Sequence, residues 1–517
     1  MKTIIKSNFE QYAEQIFRIL FLLCLIAPFL QSLFSSGMND YLESESIYFH
    51  RDNILCNVVI LIVGCIVLGL IVKLLMKIRN IDLLAMGMSI VVCLLCVLWI
   101  HVSSTKPAGD QELICFFANA FNSGDYSGLE RMNYVGVCQH QLGLITYARV
   151  LFSLFGSDYH VFQYANAIWV ASIVFAGYKF TNLLSKNRFI NVVYLVLIIC
   201  YIPLYIYSPF VYGEIPSIAI CMLSSWIFLD CFQNFRWYKP IILGTLIGLA
   251  VLLRENSLIL GIAMTIVIIV KIISNLFTKK EIKKSVYILI AIIVGIIGLR
   301  TFLYKGIYGS KIPEDSHSMP SLVYIAMGTI YNYRNPGVYN AYNITTFMEA
   351  GYDVETAENI AKTTLTDFFS YCKENPDYAF EFYYNKFRSQ WNVPLQQCFV
   401  MTNQFEANPN ALVMNIYSGK IQHVICGFMN GWQLFVYLFL VIVCFPKNKK
   451  ADIEKMVLLV AIFGGMLFSV LWEAKARYVL PYIIMMIPYA ANGFYLFTCR
   501  FSSKDGQGKI RKCEDTK

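Results

Sequence analysis

Apolar runs long enough to cross a bilayer recur along most of this chain, and they constrain its fold more than any other feature. A span needs about 20 predominantly apolar residues. Such runs fall near 15–35, 53–76, 82–101, 160–184, 189–208, 215–233, 239–253, 257–276, 285–303, 428–445, 456–472 and 478–498. Within lipid the backbone must satisfy its own polar groups, so runs of this length are helices. Composition agrees: 57% of the 517 residues are hydrophobic and 15% are charged, whereas a soluble domain carries about 25% charged residues. The chain reads as an all-α polytopic membrane protein with about twelve transmembrane helices, of which 239–253 is the shortest. The first run follows a polar, partly acidic segment, Met1 to Glu14, and no small-residue cleavage site follows it. It reads as a retained span rather than a removed signal peptide.

The formal net charge is +9, but the basic residues sit in short loops, the ordinary orientation bias of membrane proteins. Nucleic acid is therefore excluded as a partner. One set of loops carries Lys77 and Arg79; Lys186 and Arg188; Arg236 and Lys239; Lys279, Lys280, Lys283 and Lys284; and Lys447, Lys449, Lys450 and Lys455, with more in the tail after Arg500. The alternate loops carry few. By the positive-inside rule both termini are cytoplasmic and the sparse set faces outward. This divides the chain into N-terminal spans (1–101), a first outer loop (102–158), a transmembrane core (159–303), an extracytoplasmic domain (304–426), C-terminal spans (427–498) and a cytoplasmic tail (499–517).

Both outer segments are too long to be connectors. In the first, Leu142 to Phe155 is apolar but too short to span, so it lies in the interface or re-enters. In the second, Val354, Ala357, Ile360, Ala361, Leu365 and Phe368 repeat at helical spacing behind Asp353 as N-cap. Pro376-Asp377 then opens another helix, with Phe380, Tyr383, Phe387 and Trp391 expected on one face. A small helical extracytoplasmic domain results. No repeat or low-complexity tract is present.

With this orientation, charged residues at span ends fall into one outward layer: Asp110 and Glu112, Glu214 beside Tyr212, Arg254 and Glu255, and Glu473, Lys475 and Arg477 before Tyr478. Acids near hydrocarbon are costly and usually functional, and the mixture with guanidinium groups points to a reaction on an anionic substrate. Plainer readings stand beside this. Asp110 also suits a helix cap, Arg254 and Arg477 suit snorkelling anchors, and Glu255 and Glu473 suit simple counter-ions to those arginines. His140 has no partner at metal-ligand spacing. No metal site is read from the sequence; a divalent cation is compatible with it but not indicated. Cysteines in apolar runs behave as small hydrophobes; Cys93-Leu-Leu-Cys96 has redox spacing but lies in a span, and Cys372 and Cys398 could meet outside. Asn343-Ile-Thr345 matches a glycosylation sequon that has no meaning in a bacterial chain.

Several segments resemble the GT-C class of membrane glycosyltransferases, in the family 39-like branch of protein O-mannosyltransferases and lipid A aminoarabinose transferases. Asp110-Gln-Glu-Leu is similar to that family's acid-bearing first outer loop. Gly124-Asp125-Tyr126, Tyr134 and His140-Gln141-Leu-Gly143 resemble the following segment in Gram-positive relatives. Ala326-Met-Gly328, Gly337-Val-Tyr-Asn340 and Lys386-Phe-Arg388-Ser-Gln-Trp391 resemble the outer domain, and Trp472-Glu-Ala-Lys-Ala-Arg477-Tyr478-Val-Leu-Pro481-Tyr482 the closing span. The resemblance implies transfer of a sugar from a polyprenyl-phosphate donor to a glycan, lipid or protein acceptor, at the outer face of a Gram-positive cell membrane and with inversion. It implies Asp110 as catalytic base, while Glu112 is either a second catalytic acid or only its neighbour. Arg254, Arg477, Lys475, Glu214, Tyr212, His140, Gln141 and Tyr478 are the expected substrate-binding residues. The relatives often have two adjacent acids where Gln111 here separates Asp110 from Glu112, and residues before about Lys77 carry no function by analogy. The alternatives are a transporter or flippase for lipid-linked glycans, which tends to show internal repeats, and a glycan polymerase or ligase.

Overall fold

The computed structural model describes residues 9–39, 45–278, 281–332, 335–445 and 452–502. The basic residues expected at 279–280, at 447–450 and in the tail beyond 502 lie outside these. Ten helices among the described residues are long and apolar enough to cross a membrane: Phe9–Phe34, Ile54–Leu75, Ile81–Ser103, His160–Leu184, Glu214–Gln233, Glu255–Phe277, Lys283–Ile307, Lys420–Cys444, Ile453–Leu471 and Ala476–Cys499. Arg188–Ile199 and Tyr238–Leu253 are shorter apolar helices.

Three expectations change. The run 189–208 is not one span: its helix stops at Ile199, a turn passes through Cys200 and Tyr201, and Pro203 opens a separate short helix to Ile206. Proline lacks the N–H that would continue the ladder, so the break sits where the sequence supplies it. The run expected at 428–445 begins at Lys420, within the segment assigned to the outer domain. The fold is also not wholly helical, because Ser35–Asn39 and Ile47–Arg51 pair as an antiparallel hairpin, and Tyr331–Asn332 pairs with Asn335–Pro336.

The interior is built mainly by His160–Leu184, Glu214–Gln233, Lys420–Cys444 and Leu480–Ser502, whereas Ile54–Leu75 exposes most of its aliphatic side chains. Apolar residues all round suit a helix that faces lipid on one side and protein on the other. Tyr238–Leu253 and Lys283–Thr301 approach so closely that a Cβ on Gly244 would lie 2.0 Å from the Ala291 carbonyl oxygen, and one on Gly295 2.0 Å from that of Gly244. Small residues permit such contact between membrane helices.

Ion pairs join the helices at the end opposite the candidate site. Lys271 reaches Glu454 at 3.1 Å and Glu10 at 3.3 Å, Lys179 reaches Asp82 at 2.5 Å, and Lys239 pairs with Asp230. At the other end the first long loop and the 304–419 region share a small apolar core: Val137 packs with Met319, Val323, Ala326, Phe347, Ala357 and Ala361. Asp353 caps its helix by accepting from the Thr356 N–H at 2.8 Å, as expected. Leu142–Phe155 is a 14-residue helix. In Pro376–Trp391 the buried residues are Phe382, Lys386, Ser389, Gln390 and Trp391, and Phe380 is 75% exposed. The expected aromatic face is therefore rotated, because this helix packs through a polar seam that no hydrophobic pattern announces. Cys372 and Cys398 are both free, and Asn343 of the sequon is buried at the start of Tyr342–Glu349.

Candidate active site at one end of the bundle

The site forms where three chain turns meet. Glu214 opens the Glu214–Gln233 helix, a position where the helix dipole favours an acid. Arg254 ends Tyr238–Leu253 in extended conformation before the tight turn Glu255–Ser257. Lys475 is also extended, and Arg477 lies in the turn Ala476–Val479 that leads into the last helix. Gly213 makes the first two compatible: a Cβ there would meet the Leu253 carbonyl oxygen at 2.4 Å and Arg254 Cγ at 3.0 Å.

These turns bring two guanidinium groups onto one carboxylate. Arg254 Nη2 is 2.9 Å from Glu214 Oε1, and Arg477 Nε is 3.7 Å from the same oxygen. Glu214 is 3% exposed. Among the described residues neither of its carboxylate oxygens, nor Arg477 Nε, has a hydrogen-bond partner of good geometry. Both arginines lie over aromatic rings. Arg254 is 5.2 Å from the Tyr212 centroid and 5.4 Å from that of Tyr478, and Arg477 is 5.4 and 5.5 Å from the same rings. Cation–π attraction of this kind grows as water is excluded. Gln141 donates its amide to the Tyr212 hydroxyl and so fixes that ring. Below the arginines a small, partly open cavity lies between helices. It is lined by Ser217, Cys221, Asn256, Tyr482 and Met485 as well as the charged triad.

Glu473 and Glu255 take different partners from those expected. Glu473 Oε1 is 3.1 Å from Lys475 Nζ and its Oε2 accepts from the Tyr478 hydroxyl at 2.9 Å. Glu255 instead lies 3.3 Å from Arg300. Lys475 also meets Glu45 Oε2 at 2.9 Å. Burial alone would lower the Lys475 ammonium, but Glu473 and Glu45 beside it raise it overall.

Asp110 is the first residue of the Asp110–Asn122 helix and is exposed. Tyr134 points its hydroxyl at this carboxylate, and burial together with the charges of Tyr212 and Asp110 pushes that phenol up. His140 lies between Tyr324, 6.3 Å away edge-on, and the charges of Glu255, Arg254 and Asp110. Burial outweighs the acids and lowers its ring below the usual histidine range. Glu112 is exposed too, but two residues along a helix it points away from Asp110. Gln111 between them is buried and structural: it accepts from Val211 N–H at 3.0 Å and donates to the Met401 carbonyl at 3.3 Å.

Three participants were not selected from the sequence: Glu45, Gln397 and Lys386. Lys386 is 1% exposed, donates to the Gly328 carbonyl at 2.6 Å, and is lowered by burial to about 7 despite Glu473. Its signal was present in the Lys386-Phe-Arg388 segment, but a lysine on a predicted helix reads as solvated. No group of three or more candidate metal ligands occurs among the described residues.

No protein-family model matches the sequence, and no curated protein matches it. Among solved structures the chain is similar to the archaeal oligosaccharyltransferase AglB from Archaeoglobus fulgidus, in complex with an inhibitory peptide and a dolichol-phosphate. Identity is 12% and the TM-score 0.37, over 82% of this chain and 52% of that one. It is also similar to the oligosaccharyltransferase of the same organism tethered to an acceptor peptide containing the NVT sequon. There identity is 10% and the TM-score 0.39, over 81% of this chain and 50% of that one. The chain spans about half the length of each.

Proposed function

We propose that this chain is a GT-C-type membrane glycosyltransferase that moves a sugar from a polyprenyl-phosphate donor to an acceptor hydroxyl at the outer face of the cell membrane. The observation that carries the reading is the convergence of Arg254 and Arg477 on one buried Glu214 at the mouth of an interhelical cavity. Two guanidiniums against one carboxylate leave one positive charge. A sugar phosphodiester carries one negative charge, and its polyprenyl chain needs an apolar path between spans. Glu214 uses few of the donors on the two arginines, and each guanidinium carries five. Lys475 is already matched by Glu45 and Glu473, so the phosphate falls to the arginines.

In this reading the acceptor oxygen attacks the anomeric carbon from the side opposite the phosphate and inverts it. The carbon–oxygen bond to phosphate breaks, the phosphate keeps the electron pair, and Asp110 takes the hydroxyl proton. Charge building on the departing phosphate is met by Arg254 and Arg477, and charge-assisted contacts are strongest where water is excluded. The acceptor is a cell-envelope glycan, lipid or protein.

The test uses the purified full chain in nanodiscs with polyprenyl-phosphate sugars, following release of polyprenyl phosphate. Turnover that falls at least about tenfold in Arg254→Ala and Arg477→Ala is expected, since a hydrogen bond to a charged group contributes about 1.5–3 kcal/mol. Parental turnover in both variants places the phosphate elsewhere.

A further inference from the structure

The family resemblance assigns no function to residues before about Lys77, yet the N-terminal hairpin reaches the candidate site. Glu45 lies just before its second strand. One carboxylate oxygen is 2.9 Å from Lys475 Nζ and the other accepts from it at 3.2 Å. The Glu45 carbonyl accepts from Gln397 Nε2 at 3.0 Å, and Gln397 Oε1 accepts from the backbone N–H of Arg477 at 3.2 Å. A single amide thus joins the hairpin to the residue that carries one of the two guanidiniums.

The surroundings over-determine this link. Asn39 donates to the Glu45 and Ser46 carbonyls at 3.1 and 3.0 Å. Gly37 N–H bonds the Asn392 carbonyl at 2.9 Å, Ile47 N–H bonds Asn335 Oδ1 at 2.7 Å, and Arg388 stacks on Phe49 at 3.6 Å. Gln396 and Gln397 stand at φ +41° and +61°. Left-handed conformation in non-glycine residues costs about 1–3 kcal/mol each and persists only where neighbours enforce it. Tyr201 and Tyr207 do so, donating to the Gln396 side chain at 2.5 Å and to its carbonyl at 2.6 Å. The strained pair presents the Gln397 amide to the hairpin and to Arg477 at once. Lys475 is 8% exposed, but Glu45 beside it is only partly buried and the Tyr339 ring 5.0 Å away is exposed, so the pair lies close beneath the surface.

We propose that the N-terminal hairpin is a working part of the site, with Glu45 a positioning residue that acts through Lys475 and with Gln397 as its relay to Arg477. Its effect on turnover rests on the glycosyltransferase reading; the coupling of Glu45 to Lys475 does not. Glu45 holds the 472–477 segment so that Arg477 faces Glu214, and together with Glu473 it keeps Lys475 from competing for the phosphate.

Two measurements on the full-length protein in nanodiscs test this. The first is the acylation rate of Lys475 by a water-soluble amine reagent, read by peptide mass spectrometry. Glu45→Gln removes a carboxylate and should raise that rate about tenfold for each unit by which the lysine pKa falls, and Glu45→Asp should restore most of the protection. The second is a cycle of Glu45→Gln, Lys475→Met and the double variant on donor turnover. The double variant should be no slower than Lys475→Met alone, with the Glu45→Gln loss in kcat rather than donor KM. Unchanged acylation in Glu45→Gln, or losses that simply add, would overturn the proposal. If the parent turns over no polyprenyl-phosphate sugar, the glycosyltransferase reading fails while the acylation arm still decides the hairpin's coupling.

Discussion

Glu214→Gln perturbs the balance of the triad with almost no change of shape. Glu214 faces Arg254 at 2.9 Å and Arg477 at 3.7 Å. At an effective dielectric of about 20 each attraction is on the order of 5 kcal/mol before desolvation is counted. Removing one partner of a buried pair typically costs about 3–5 kcal/mol, because charge is left uncompensated. Here two neighbouring guanidiniums would be left, so the variant should melt earlier than the parent. The same change doubles the local positive charge and should make the site greedier for anions. Thermal melting in detergent, with and without farnesyl phosphate as a short soluble analogue, reads both effects. At a hundredfold excess over its dissociation constant a ligand stabilises by about 2.7 kcal/mol. The analogue should therefore reach a given shift at lower concentration in Glu214→Gln than in the parent, and Arg254→Gln added to Glu214→Gln should reverse this. In turnover the variant should show lower donor KM and lower kcat, since the product phosphate leaves a more positive site slowly. Equal shifts in parent and variant, or none in either, would refute the assignment of the phosphate to these arginines.

Asp110→Asn should cut kcat about 100-fold or more, the usual worth of a general base, with melting nearly unchanged because the side chain is exposed; Glu112→Gln should stay within a few-fold in the same turnover assay. Lys386 is lowered to about 7 in the folded protein from 10.5, so the unfolded state binds the extra proton between those values and stability from this group rises with pH across that window. Lys386→Met should flatten that rise in melting temperature against pH and melt higher than the parent near pH 7. Single cysteines at Asp110 and in the exposed parts of the 304–419 region, in a cysteine-free background, should react with a membrane-impermeant thiol reagent in intact cells, whereas one at the buried Glu214 should not; protection throughout the 304–419 region would reverse the proposed orientation.

Local chemistry made much of the architecture legible in the sequence. Apolar runs near bilayer length announced the helices that bound the site, and Asp353 announced its cap, because both signals lie within a few residues of the structure they cause. The same logic located the break at 200–203 only in hindsight: Pro203 was present, but a run of apolar residues on both sides hid it. The charged layer was also legible, since Glu214, Arg254 and Arg477 all sit at span ends of one parity. Their mutual geometry was not. Arg477 meets Glu214 across 263 positions of chain, and the 2.9 Å contact of Arg254 depends on Gly213 leaving room for it.

What the sequence by itself determined is a many-helix membrane protein with acids and guanidiniums gathered at one end of its helices. Only tertiary structure decided which acid serves which cation: Glu214 for the two arginines, Glu473 and Glu45 for Lys475, and Arg300 for Glu255. It also brought Glu45 into the site from a hairpin with no motif, and turned Lys386 inward from a helix whose pattern pointed elsewhere. The physical reason is range. Hydrophobic length and capping act along the chain and leave a periodic trace, whereas an ion pair between distant segments is set by how whole helices pack, and no spacing in the sequence records it.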